Sequence, residues 1–267
     1  MHGRVLIIAG SDSSGGAGIQ ADIKSVTALG GYAATAVTAL TAQNTLGVHK
    51  VVPSTPNFVA QQIDVVLSDI GADCIKTGML HDAGIVNAVA DVLERAAPNI
   101  PLVVDPVMVA KGGHSLLHEE ARVALKKRLL HKAAVVTPNV PELSALCGDE
   151  PIDNIWDLER LAHALCSSGV QAVLAKGGHL VGKAVSDILV NPSGEVEVFE
   201  SLRIETVHTH GTGCTLASGI ATGLAQGLPL SDAVTRARKF VHKAISAAPG
   251  LGAGHGPLNH TVTVQEL

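Results

Sequence analysis

Short β-branched runs alternate with longer segments of helical period through most of this chain, and that alternation leaves very few folds open. RVLIIA (4–9) precedes a segment near 17–29 whose Ile19, Ile23, Val26 and Leu29 share one helical face, and YAATAVTAL (32–40) follows. The pattern continues with a helix near 56–70, CIKTG (74–78), a helix near 82–96, LVVDP (102–106), AAVVTPN (133–139), a helix near 155–168 and AVLAKGG (172–178). Each run is nearly all apolar, as a strand covered on both faces must be, and such βαβ crossovers are right-handed. After 178 the pattern breaks: VSDILV (185–190) and EVEVFESLRI (195–204), separated by NPSG, read as an antiparallel edge hairpin. Helices near 213–226 and 230–247 follow, and the glycine-rich tail LGAGHGPLNHT (251–261) is expected to be irregular. The fold expected is α/β, a mostly parallel sheet with helices on both faces and an antiparallel edge hairpin.

A chain of 267 residues with 46% hydrophobic content can bury a full core. It has no internal repeat, charge block or long linker, so one domain over residues 1–267 is expected. The net charge of −5 lacks the basic excess that phosphate-backbone binding needs, and three Phe, one Trp and one Tyr give no base-stacking platform. A nucleic-acid partner is not expected. The N-terminal apolar run is too short for a signal peptide or a membrane span, so a soluble cytoplasmic protein without membrane contact is expected. Cys74, Cys147, Cys166 and Cys214 are far apart, with neither a Cys-x-x-Cys pair nor zinc-ligand spacing.

Nearly every expected strand ends in a small or polar tract, and in open parallel sheets such ends converge on one ligand cleft. Gly16-Ala-Gly18-Ile-Gln-Ala21 fits a dinucleotide fingerprint, but the second strand ends in Gln43-Asn44 without the ribose-binding acid. GGHLVGKA (177–184) misses a phosphate-binding P-loop because Ala184 replaces the hydroxyl and a strand follows. Lys176, just before it, could meet a phosphate as a point charge or be a solvated loop residue. HGTGCTLASG (210–219) puts Gly211, Thr212 and Gly213 at a helix N-terminus, where free N–H groups and the helix dipole favour an anion. Cys214 in that first turn could be a nucleophile, a metal ligand, a base or core filling. A helix N-terminus can lower a cysteine to about 3.5–7.5 and so supply thiolate near neutrality. Asn139 and Glu142 either hold magnesium or form a helix cap, and Asp105 invites the same choice. His208 and His210, beside the cradle, are expected at the surface.

Taken together, GSDSSGGAGIQAD (10–22), TALTAQNT (38–45), KTGML (76–80), DPVM (105–108), TPNVPE (137–142), KGGH (176–179) and HGTGCTLASG (210–219) resemble the hydroxymethylpyrimidine/phosphomethylpyrimidine kinases of thiamine biosynthesis, over about residues 4–247. The resemblance implies a ribokinase-like three-layer α/β/α sandwich, commonly a homodimer. It implies an enzyme using MgATP to phosphorylate 4-amino-5-hydroxymethyl-2-methylpyrimidine and then its monophosphate. Carried onto this chain, it puts Cys214 where the wider superfamily has a catalytic aspartate. The N–H groups of Gly211 to Cys214 and Lys176 then meet the transferring phosphoryl group, and Asn139, Glu142 and Asp105 serve magnesium. Gln43 would read the pyrimidine, with Gly10, Asp22, Met79 and Val107 around the ring. The nearest rival is a pyridoxal kinase; relatives of that kind carry a cysteine soon after DPVM, where this chain has Ala110. A dinucleotide oxidoreductase and a non-catalytic ligand sensor are the rivals from other classes.

Overall fold

The computed structural model describes residues 2–109, 113 and 116–264; Ala110 lies outside the described residues. In chain order the elements are β1 (Arg4–Asp12), α1 (Gly18–Ala28), β2 (Tyr32–Asn44), β3 (Gly47–Pro53), α2 (Pro56–Asp69), β4 (Cys74–Thr77), α3 (Ala83–Ala96), β5 (Leu102–Val104), α4 (Glu119–Arg128), β6 (Val135–Val136), α5 (Val140–Leu146), α6 (Ile155–Ser167), β7 (Val173–Ala175), β8 (Ala184–Val190), β9 (Val196–Leu202), α7 (Thr212–Ala225) and α8 (Leu230–Ser246). The strands form one nine-stranded sheet in the order β3-β2-β1-β4-β5-β6-β7-β8-β9. From β2 to β7 neighbouring strands are parallel, and β8 and β9 form the expected antiparallel hairpin.

Alternation within each strand splits the core into two layers. Leu6, Ile8, Ile75, Val104 and Val136 face the layer containing Val59 and Ile63 of α2, Val89 of α3 and Leu161 of α6. Val5, Ile7, Val103, Val135 and Leu174 face Val26 of α1, Leu216 and Ile220 of α7 and Val234 of α8. Side chains two residues apart along a strand share a face, so one apolar run supplies both layers. Helix starts follow local chemistry: Thr55, Asp82 and Asn154 each accept a backbone N–H of the helix they precede.

Two elements were not expected. Strand β2 extends beyond 40 to Asn44 and turns into β3, a second antiparallel edge. Its residues alternate little in polarity because this edge is largely exposed, and pairing with β2 supplies what sequence pattern does not. Helix α4 carries a charged surface with two buried residues, Ala121 and Leu125, too few for a clear helical stripe. None of the helices among the described residues is long and apolar enough to cross a membrane.

The chain folds β1 and β2 to one side, then places β4 on the opposite side of β1. That reversal of strand order opens a crevice outside the carboxyl ends of the strands.

Candidate active site

The crevice is a cavity of about 730 Å³ lined by the ends of β1, β2, β4, β5 and β7 and by the start of α7. It is lined by Gly10, Gln43, Met79 and Val107, by Asp105, Glu142, Lys176 and the 211–214 segment, and by Ile204, Val241 and Ile245. Each expected site residue except Asp22 therefore borders one space.

Helix α7 enters the site from Gly211, which has φ of +83°. A β-carbon there would collide with the carbonyl oxygen of Gly16, so the left-handed conformation and the close loop both require glycine. Thr212 turns its N–H back to the Thr209 carbonyl at 3.3 Å and its hydroxyl to the same oxygen at 2.7 Å. The N–H groups of Gly211, Gly213 and Cys214 have no hydrogen-bond partner among the described residues. A β-carbon on Gly213 would lie 3.2 Å from Lys176 Nζ, so the lysine reaches the helix terminus itself. An ammonium beside free helix N–H groups is a site for an anion.

Lys176 Nζ donates to Asp105 Oδ1 at 3.0 Å and lies 3.9 Å from Glu142 Oε2. Burial opposes the Lys176 charge, but Asp105 and Glu142 outweigh it and hold the group above its ordinary value. Burial, with repulsion from Asp105, pushes the Glu142 carboxyl up to about 7 against the pull of Lys176. Asn139 and Glu142 form a capping box: Asn139 Oδ1 accepts the Glu142 N–H at 2.9 Å, and Glu142 Oε2 accepts the Asn139 N–H at 2.8 Å. Asn139 and Glu142 thus share the helix cap, one of the two roles their spacing leaves open. Among the described residues no cluster of three or more His, Cys, Asp and Glu could hold a metal alone. Two buried carboxylates against one ammonium still suit magnesium, which is usually held by one or two carboxylates together with phosphate oxygens and water.

Cys214 is half-buried, and its thiol is pushed up to about 12, chiefly by burial. Lys76 and the Gly18 N–H pull it down, while Asp22 and Asp105 push it further up. This reverses the expected lowering: the helix terminus favours thiolate, but desolvation beside two carboxylates wins. Cys74 and Cys166 are buried in the core, with thiols raised by desolvation, Cys166 to about 11.

Asp22 corrects another expectation. It is fully buried beneath the cavity wall, with both carboxylate oxygens 2.9 Å from Lys76 Nζ and Oδ1 2.7 Å from Ser218 Oγ. Its place is behind the residues that meet the cavity. Lys76, equally buried, adjoins Cys214 electrostatically and was not singled out from sequence. The KTG tract at a strand end was the available signal, but an ion pair with a residue 54 positions away is not readable there.

His210, expected at the surface, is buried at 6% exposure, with Nε2 2.8 Å from Asp12 Oδ2. Asp12 also accepts the Ser14 N–H and hydroxyl and the N–H groups of Gly16 and Ala17. Burial opposes ionisation of Asp12, yet His210 and these donors hold its carboxyl down at about 2.

Comparison with known proteins gives a consistent result. The phosphomethylpyrimidine kinase family profile matches residues 12–259. A thiamine biosynthesis bifunctional protein of Geobacter sulfurreducens is 48% identical over 266 residues, covering 100% of this chain and 54% of that protein. The chain therefore spans about half the length of that relative. A hydroxymethylpyrimidine/phosphomethylpyrimidine kinase of Rhizobium meliloti is 46% identical over 257 residues, 96% of each chain. Among solved structures, a pyridoxal kinase from Staphylococcus aureus in complex with AMP-PCP and pyridoxal superposes with a TM-score of 0.90 at 33% identity, covering 99% of this chain and 96% of that one.

Proposed function

The chain belongs to the phosphomethylpyrimidine kinase family, and on that premise we propose that it transfers the γ-phosphoryl group of ATP to 4-amino-5-hydroxymethyl-2-methylpyrimidine and then to its monophosphate, for thiamine biosynthesis. The observation that carries this reading is the meeting of Lys176, Asp105, Glu142 and the start of α7 in one cavity that Gln43, Met79 and Val107 also line.

Phosphoryl transfer asks mainly for positioning and for compensation of charge spread over the phosphate oxygens. Lys176 and the N–H groups of Gly211, Gly213 and Cys214 would compensate that charge, while Gly10, Gln43, Met79 and Val107 hold the pyrimidine. The adenine would lie against Ile204, Val241 and Ile245. Asp105 and Glu142 would hold magnesium, which when bound neutralises phosphate charge. Cys214 would take the substrate hydroxyl's proton as its thiolate; because burial holds the resting thiol high, that thiolate forms only after the thiol has given its own proton to solvent. In a loose transition state the hydroxyl proton leaves late, so the proton need not be taken in advance. The second transfer starts from an ionised phosphate and should depend less on Cys214.

We read the enzyme as a single domain, cytoplasmic and homodimeric. One continuous sheet supports the first, and the exposed apolar edge with Leu40, Leu46 and Val52 supports dimerisation.

Steady-state turnover with the aminopyrimidine alcohol, its monophosphate and pyridoxal tests the reading. Preference for the two pyrimidines is expected; a tenfold preference for pyridoxal in kcat/KM would overturn it.

A further inference from the structure

A hydrogen-bond chain in the cavity lining, Asp12, His210, Gln43, Thr41 and Ser11, enters the proposed mechanism only through Gln43. The Gln43 main chain is anchored at both ends to Ser13, whose Oγ accepts the Gln43 N–H at 2.9 Å and donates to the Gln43 carbonyl at 2.9 Å. Its side-chain amide bridges His210 and Thr41; as placed, Nε2 lies 3.4 Å from His210 Nε2 and Oε1 lies 3.2 Å from Thr41 Oγ1, and the two termini are alike in shape.

Which terminus is nitrogen follows from the partners. Asp12 Oδ2 is an ionised acceptor 2.8 Å from His210 Nε2, so that ring nitrogen carries a proton. An amide N–H on this side would face another N–H; an amide oxygen would instead share the Nε2 proton with Asp12, as the longer branch of a forked bond. At the opposite terminus Thr41 spends its one proton on the Ser11 carbonyl at 2.9 Å. Thr41 Oγ1 can then only accept from Gln43, which requires an amide N–H there. The Thr41 end demands Nε2 toward Thr41 and so Oε1 toward His210, and the protonated Nε2 of His210 opposes the reverse.

We infer that Asp12 and His210 from one side and Thr41 from the other lock the Gln43 amide in one orientation, making His210 and Thr41 positioning residues that set substrate specificity. This rests on the functional reading above. The locked amide keeps one N–H and one oxygen lone pair for the ring, in fixed order. An aminopyrimidine, with a ring nitrogen acceptor beside an amino donor, matches that order. The 4-oxo analogue, with a ring N–H beside a carbonyl, presents it reversed. Turning the ring over is no remedy, because the hydroxymethyl group must still reach the phosphoryl cradle. Turning the amide over breaks its bonds to His210 and Thr41. The lock thus rejects a deaminated substrate that differs little in size, which a shape-based pocket does poorly.

The test is the ratio of kcat/KM for the aminopyrimidine alcohol to that for its 4-oxo analogue, measured in the parent, His210→Leu, His210→Gln and Thr41→Val. The parent should favour the amino compound by at least about a hundredfold. His210→Leu and Thr41→Val, each losing one anchor, should compress that ratio at least tenfold. His210→Gln, whose amide N–H can replace the ring N–H, should restore most of it. Thr41→Val changes little in shape and keeps the test valid if His210→Leu fails to fold. A ratio unchanged in Thr41→Val and in whichever His210 variants fold, with activity toward both substrates falling together, would overturn the inference. A parent enzyme that leaves the aminopyrimidine alcohol untouched while phosphorylating pyridoxal would instead remove the functional reading, and this inference with it.

Discussion

Replacing Lys76 by Met leaves Asp22 as a carboxylate without its ammonium, in a place where both side chains have 0% exposure. Asp22 loses two contacts of 2.9 Å and keeps the Ser218 hydroxyl at 2.7 Å. Breaking a buried ion pair from one side costs about 3–5 kcal/mol, because the remaining charge is left uncompensated. At about 2–4 °C per kcal/mol for a chain of this size, Tm should fall by about 6–20 °C. Protonation of Asp22 relieves part of the cost, since burial already pushes its carboxyl upward. A carboxyl raised in the folded state binds its proton more tightly there than in the unfolded chain. The deficit should therefore be smallest in mild acid and deepen as pH rises through the folded value. The double variant Lys76→Met/Asp22→Asn removes both charges and should recover most of the loss. Urea unfolding followed by far-UV circular dichroism at pH 6 and pH 9 measures all three quantities. A single variant within about 1 kcal/mol of the parent, the ordinary effect of one substitution, would refute the reasoning. So would a double variant no more stable than the single.

Lys176→Ala should lower kcat by about 10²–10³, the usual cost of removing a preorganised donor from developing charge, and single-turnover transfer at saturating ATP would register it; a change confined to the KM for ATP would restrict Lys176 to binding. Cys214→Ala should slow the first phosphorylation more than the second, and an unchanged first step would take the thiol out of the mechanism. Because that thiol is held up to about 12, its alkylation by iodoacetamide in the ligand-free enzyme should be slow at pH 8 and rise about tenfold per pH unit; rapid labelling at neutral pH would contradict the burial argument. Asp12 is depressed from 3.8 to about 2 in the fold, so its contribution to stability is present above its unfolded value and lost as pH falls toward 2. Asp12→Asn should accordingly flatten acid denaturation between about pH 4 and pH 2, and an unaltered acid limb would argue against that linkage. Gly211→Ala should destabilise by about 1–3 kcal/mol through the left-handed backbone and the Gly16 carbonyl, read by thermal unfolding.

The sheet and its helices were legible because periodicity and capping are short-range: Ile19 and Val26 show their buried face within one helix, although Ile23, expected with them, is exposed, and Asp82 caps the helix it precedes. Strand β3 escaped notice because an exposed edge is held by its partner's ladder and not by a polarity pattern of its own. Within the site, Lys176, Gly211 and Gly213 could be found from residue type and position at a strand end or helix start. The commitment of Asn139 to a cap was one of two readings open from spacing, and the hydrogen bonds decided between them.

By itself the sequence determined a mostly parallel sheet, its antiparallel hairpin, the end of the sheet where the cavity opens and the family whose motifs line that end. Only the tertiary structure decided the electrostatics: Asp22 set behind the wall with Lys76, His210 buried against Asp12, and Cys214 raised rather than lowered. The physical reason is range. A helix terminus or a turn acts over a few residues, whereas desolvation and Coulomb interaction sum over every group that folding brings near. Around Cys214 those groups come from positions 18, 22, 76 and 105 of the chain, and no local stretch contains them together.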